Sequence, residues 1–400
     1  MGPGRDGLRL RERLRADLPG AGAAPELAAR GRRWSDDDQP GGGRAVMLDD
    51  VRAIERVDRH NTGRVLAEFP EQCRRARALR ISPAPAVARP RVIVMVGMGG
   101  SAAGADLLAA CAAEMVDVPV LVHRGYGLPA TAGREAVVIA SSYSGETAEV
   151  LSAVDVALAR RVPVIAITSG GTLGALAAGH RLPRVALPPG LMPRMALGYL
   201  VFPALRVLEA CDVPVAAEDD VDEALRVVAD QAADLVPEVS ADKNEGKRLA
   251  LAIERRLPAV YGGSLTATTA YRWKTDLEEN AKRLAVAGSV PEMNHNEIEI
   301  WRGPAARELH AVLLREDGEP PEIARRFTLM RELLGPAAGG VSEAWARGHG
   351  RLARLLSLLY LGQWVSYYAA MLRGTDPWPV PMLTELKQRL GAADGRGPAP

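Results

Sequence analysis

Two loops rich in glycine and serine carry the first chemical signal in this chain. Gly97-Met98-Gly99-Gly100-Ser101 and Ser142-Tyr143-Ser144-Gly145-Glu146-Thr147 each follow an apolar, strand-like run and each open a stretch of helical pattern. A helix N-terminus leaves backbone N–H groups unpaired and carries partial positive charge, so phosphate oxygens settle there, and small hydroxyls add donors at little steric cost. Gly99, Gly100, Ser101, Ser142, Ser144 and Thr147 are therefore the candidate phosphate-binding residues. Such a cradle needs no metal and no cofactor.

Two other phosphate chemistries fit less well. Gly97-x-Gly99-x-x-Ala102 superficially satisfies the dinucleotide fingerprint, but that reading wants an acidic residue about 20 positions on to hold a ribose hydroxyl. His123-Arg124-Gly125 stands there instead. It also leaves the Ser142–Thr147 loop without a purpose. A Walker-type Gly-Lys-Ser/Thr is absent, so nucleoside triphosphate chemistry has little support.

The elements that must position these loops are legible in the apolar pattern. Short Val/Ile/Ala runs at 92–96, 118–122, 136–140, 164–167 and 184–187 alternate with helical stretches. Continuous runs of this kind fit strands buried on both faces, hence a parallel sheet covered by helices. Helices are expected near 197–210 and 221–235. Val260-Tyr261-Gly262-Gly263-Ser264 then echoes the first loop ahead of a helical run at 267–284, followed by a strand at 309–314, a helix through Phe327 and Leu333, and a long helix at 350–372. The expected class is α/β: two doubly wound parallel-sheet subdomains with flanking helices. Their expected bounds are 47–200, with leading helices, and 201–390. Residues 1–46, ending in an Asp- and Gly-rich stretch, and 391–400 read as disordered extensions.

Composition narrows the function further. The net charge of +1 argues against a nucleic-acid or membrane-surface protein, which would carry a basic excess. No run approaches the roughly 18 apolar residues of a membrane helix, and the N-terminus lacks a signal-peptide pattern. Cys73, Cys111 and Cys211 are odd in number and widely spaced, which fits buried free thiols and a cytoplasmic location. Lysine occurs only at 243, 247, 274, 282 and 387 in this arginine-rich chain, so each lysine is more informative than it would otherwise be.

The paired loops resemble the sugar isomerase (SIS) domain. Together with Glu279-Asn280-Ala281-Lys282, Pro291-Glu292-x-x-His295-Asn296 and Leu386-Lys387-x-Arg389-Leu390, in that order, they resemble the bifunctional phosphoglucose/phosphomannose isomerase family from about residue 47 to 390. The resemblance implies conversion of glucose 6-phosphate, and of mannose 6-phosphate, to fructose 6-phosphate through an enediolate. One carboxylate suffices to move the proton between C2 and C1. Glu279 matches the family's catalytic glutamate, and Glu278, about 100° away around the helix, is expected to face solvent. His295 and Lys387 match the ring-opening residues, and Arg194 matches the arginine set against the developing enediolate. The resemblance further implies that His295 reaches the neighbouring subunit's site, which requires a homodimer.

The chain departs from the family pattern at Val380, where a threonine usually allows both C2 epimers to fit. Valine keeps the shape and loses the hydroxyl, which puts use of mannose 6-phosphate in question. Ala102, where glycine is common after the loop serine, adds one methyl. The rival from another class is a sensor that binds a phosphosugar without turning it over. It would keep the serine loops, with no need for the glutamate, histidine and lysine together.

Overall fold

The computed structural model describes residues 42–393 except Ala88. Most of the expected N-terminal extension, 1–41, and residues 394–400 of the expected tail lie outside the described residues. Four leading helices, α1 (Gly42–Asp49), α2 (Val51–Val57), α3 (Thr62–Ala67) and α4 (Phe69–Arg77), precede a two-residue strand β1 (Ile81–Ser82). The alternation follows as β2 (Val92–Val96), α5 (Gly99–Ala112), β3 (Val120–His123), β4 (Ala136–Ser141), α6 (Ala148–Arg160), β5 (Val164–Thr168), α7 (Gly171–Gly179) and β6 (Arg184–Ala186). A 3-10 turn at Pro193–Met195 leads into α8 (Leu197–Ala210), α9 (Glu218–Leu235) and α10 (Glu245–Ile253). Residue 200, the expected boundary between halves, lies inside α8, which packs on α4 and α5.

The second alternation is β7 (Leu257–Gly262), α11 (Ala267–Asn280), β8 (Val286–Ser289), β9 (Leu309–Arg315), α12 (Pro321–Leu334), β10 (Gly340–Trp345), α13 (Arg351–Leu372) and α14 (Pro381–Ala393). The first sheet has the order β1-β6-β5-β4-β2-β3 and the second β10-β9-β7-β8. All pairings are parallel except β1 with β6. The fully buried central strands β4, β5 and β9 are the ones whose apolar runs stand out in the sequence. β1, β8 and β10, absent from the sequence reading, lie at sheet edges and are mostly half-buried, so they need no continuous apolar run.

The long helix α13 is apolar all round because it is enclosed by α9, α10, α11 and α5. It is long and apolar enough to cross a membrane, yet 94% of that stretch is buried inside the fold. A long, predominantly apolar helix thus marks the core here, against the expectation that no stretch would be long and apolar enough to span a membrane. Gly362 allows α11 to lie directly on α13: a β-carbon at that position would stand 2.2 Å from Trp273 Nε1. The same indole donates to the Leu358 carbonyl at 2.8 Å. α11 is therefore held against the core rather than against solvent.

All three cysteines are free and buried. Burial pushes the Cys111 thiol up to about 12 and Cys211 up to about 11, so almost no thiolate forms near neutral pH. The folded protein should therefore leave a disulfide reagent such as DTNB unreacted, while three equivalents react after denaturation in urea. Gly362→Ala should lower the urea midpoint by an amount corresponding to roughly 1–3 kcal/mol, the usual cost of overpacking.

Candidate active site

The two serine loops leave the carboxyl ends of β2 and β4, which are paired neighbours with Val96 opposite Ala140. In the first loop Gly99 adopts φ +51°, and α5 begins there. Ser101 is the third residue of that helix and is buried. In the second loop Gly145 has φ +75°, and a β-carbon there would lie 2.0 Å from the Gly170 carbonyl oxygen, so only glycine fits. The Ser142 hydroxyl accepts from Gly145 N at 3.1 Å and lies 2.8 Å from Thr147 Oγ1. Ser144 is exposed, its Oγ accepting from Glu146 N at 3.3 Å.

Glu146 would be an awkward neighbour for an anion, but it is turned away. Its carboxylate accepts from Thr172 N at 2.6 Å and from Thr172 Oγ1 at 2.9 Å, capping the start of α7. The cradle keeps its hydroxyls and amides without a free negative charge from its own glutamate.

Arg194 links this cradle to the second half. Its turn presses on the first loop so closely that a β-carbon on Gly100 would stand 2.6 Å from the Pro193 carbonyl oxygen and 3.1 Å from Arg194 Cα. From the other side Arg272 Nη2, on α11, donates to the Arg194 carbonyl at 3.0 Å. Gln72, on α4, brackets the same turn by donating to the Met195 carbonyl at 2.9 Å and accepting from Gly198 N at 2.7 Å.

The Arg194 side chain is 3% exposed. Its Nε donates to Asn280 Oδ1 at 2.9 Å, and its Nη2 donates to the carbonyls of Pro377 at 2.9 Å and Trp378 at 2.6 Å. These acceptors leave Nη1 toward Glu279, whose Oε2 lies 3.8 Å away. Burial works against the Arg194 charge, and Glu279 and Asp276 act to restore it. The orientation of the Asn280 amide is not arbitrary: Ser366 Oγ gives its proton to the Gln363 carbonyl and accepts from Asn280 Nδ2 at 2.9 Å. The Asn280 oxygen is thereby directed at the guanidinium.

Glu279 stands near the end of α11 with a quarter of its side chain exposed, open on one side and charge-paired on the other. Glu278 points elsewhere and pairs with Lys274 at 2.8 Å. Beneath Glu279, the buried Asp276 pairs with Arg272 at 2.6 Å. Burial raises the Asp276 carboxyl to about 6 against the pull of Arg272. Lys282 donates to the Glu279 carbonyl, and burial and then Arg194 lower its ammonium from the ordinary lysine range.

His295 lies in an exposed 3-10 turn, and Lys387 lies on the exposed helix α14. Among the described residues neither side chain makes a hydrogen bond or ion pair with Arg194 or Glu279. Val380 precedes α14, and the Thr384 hydroxyl is committed to the Val380 carbonyl at 3.1 Å. Thr384 therefore does not stand in for the missing threonine hydroxyl.

Comparison with known proteins places this geometry in a family. A SIS domain model matches residues 87–178, and a model for the bacterial phospho-glucose isomerase C-terminal SIS domain matches 242–390. A bifunctional phosphoglucose/phosphomannose isomerase from Caldicellulosiruptor bescii is 38% identical over 301 residues, spanning 74% of this chain and 89% of the relative. The chain belongs to the bifunctional phosphoglucose/phosphomannose isomerase family. A D-glucosamine-6-phosphate 4-epimerase from Sulfolobus acidocaldarius is also similar, 30% identical over 235 residues, spanning 58% of this chain and 71% of that protein. The crystal structure of a glucose-6-phosphate isomerase like protein from Thermus thermophilus shares the fold, with a TM-score of 0.55 at 23% identity over 85% of this chain and 98% of that one.

The run Glu279-Asn280-Ala281-Lys282, within the part matched by the C-terminal SIS model, sits where α11 meets the Arg194 turn. The sequence pattern assigns no task to Asn280, Arg272, Asp276 or the 376–378 segment ahead of Val380. A buried amide beside a charged partner is invisible until the partner is located. Asn280→Ala removes the acceptor of Arg194 Nε, and stopped-assay kinetics should show kcat reduced roughly tenfold or more, since an unpaired buried donor costs about 1–3 kcal/mol.

Proposed function

We propose that this chain is an aldose–ketose isomerase that interconverts glucose 6-phosphate and fructose 6-phosphate. The observation that carries the reading is the unbroken line of contact from the Gly97–Ser101 loop, through the Arg194 turn, to the Glu279 carboxylate. A phosphate held by Ser101, Ser142, Ser144, Thr147 and the amides of Gly99 and Gly100 would anchor one end of an open-chain sugar. Binding energy gathered there, remote from the reacting carbons, orients C1 and C2. Glu279 takes the C2 proton and returns it to C1. Arg194 faces the oxygens on which negative charge develops, as a fixed cation that needs no reorganisation in the transition state.

His295 and Lys387 open the ring in this reading, with His295 supplied by the partner of a homodimer. Their exposure on one chain supports that assignment. So does the apolar stripe of α14, where Leu383, Leu386 and Leu390 stand exposed at helical spacing with Lys387. The three free thiols agree with a reducing, cytoplasmic location.

The test supplies glucose 6-phosphate and mannose 6-phosphate separately and measures fructose 6-phosphate. Turnover of glucose 6-phosphate is expected, and binding of either sugar without turnover would favour the sensor. Val380 should make the mannose epimer the poorer substrate, and Val380→Thr should narrow the difference. Glu279→Gln is expected to abolish turnover while phosphosugar affinity stays within a few-fold of the parent. Mixing inactive Glu279→Gln and His295→Ala homodimers under subunit exchange should restore about a quarter of full activity, because half of the dimers are mixed and each carries one complete site.

A further inference from the structure

Trp378 and Pro377 hold Arg194 through their backbone carbonyls, and this segment is itself held by a residue far away in sequence. Asp376 is 8% exposed, and its Oδ1 accepts from Trp378 N at 3.1 Å. Its Oδ2 lies 2.7 Å from His60 Nδ1 and 3.8 Å from Arg59 Nε. The His60 ring is stacked on the Trp378 indole, nearly parallel at 8° with centroids 6.2 Å apart. His60 belongs to the turn between α2 and α3, which is tied by hydrogen bonds to the start of α3 and to the core. Asp58 beside it is buried and accepts from Thr62 N at 2.7 Å and Gly63 N at 2.8 Å. Tyr367, on the core helix α13, donates to the same carboxylate at 3.0 Å.

We propose that His60 and Asp376 are positioning residues for the isomerisation, acting through the Trp378 carbonyl to orient the Arg194 guanidinium. A guanidinium is a planar fork with five N–H donors, so acceptors on Nε and Nη2 fix the direction of Nη1. Asn280 supplies one acceptor from α11, and the 377–378 carbonyls supply the others. The carbonyls belong to a loop with no strand or helix to set its course. What sets it is Asp376, gripped on one oxygen by His60 and on the other by the Trp378 amide, with the imidazole lying parallel to the indole. Loss of that grip frees the carbonyls to drift, and displacements of order 1 Å in a stabilising charge are costly to turnover. His60 touches no substrate in this scheme. It holds the loop that holds the arginine.

This inference rests on the role given to Arg194 above, and the experiment separates the two. Steady-state kinetics with glucose 6-phosphate are measured for His60→Ala, His60→Asn, Asp376→Asn and Arg194→Gln, and for His60→Ala combined with Arg194→Gln. His60→Ala should lower kcat roughly tenfold with KM within about twofold, the signature of an interaction made in the transition state. His60→Asn keeps a donor near the position of Nδ1 and should recover most of that loss. In the Arg194→Gln background, His60→Ala should cost nothing further, because two residues acting through one group are not additive. An unchanged kcat for both His60→Ala and Asp376→Asn, in variants that melt within a few degrees of the parent, overturns the proposal. So does the same fold-loss from His60→Ala in both backgrounds, which would mark a general structural role. Full turnover by Arg194→Gln would instead bring down the assignment of Arg194 itself.

Discussion

Arg194 is a buried charge whose hydrogen bonds must all be found among residues from distant parts of the chain, and that requirement organises the rest of the site. An unpaired guanidinium at this depth would cost several kcal/mol. It is satisfied by Asn280 from α11 and by two carbonyls from the segment ahead of α14. Its backbone is satisfied in turn by Arg272. Any displacement of the two halves relative to this turn strips the guanidinium of partners, so the phosphate loop and Glu279 are held in one geometry. The contact that completes the site is also the one that penalises its distortion.

The two sheets share an architecture and divide the labour. The first presents two serine loops at the carboxyl ends of the neighbouring strands β2 and β4. The second has a loop of similar sequence whose Ser264 is exposed, and the groups beside it are used internally: Gly263 N donates to Thr266 Oγ1 at 2.8 Å, and that hydroxyl donates to the Leu314 carbonyl at 2.9 Å. Gly262 also approaches the Thr266 backbone too closely for any β-carbon, at 2.4 Å. The echo thus closes the start of a helix onto its own sheet. At the opposite end of α11, Glu279 and Asn280 emerge beside Arg194.

Burial explains which elements were legible. β4 and β5 lie in the middle of the first sheet, so every residue is enclosed and the apolar run is continuous. β8 and β10 are edges, and their mixed residues read as loop. The α13 helix carries the same message more strongly: its lack of a polar face records enclosure by four neighbouring helices rather than a membrane.

The sequence by itself determined the strand-to-helix loops, the parallel class and the place of Glu279 late in a helix, because each depends on periodicity or on the chemistry of a helix terminus within a few residues. It also carried the family motifs in order. Only the tertiary structure decided that Arg194 and Asn280, 86 residues apart, share a hydrogen bond, that Trp378 reaches the same guanidinium across 184 residues, and that Glu146 turns away from the cradle. Those choices follow from the demand that buried charges and amides find partners, and no local spacing records which distant group will supply them.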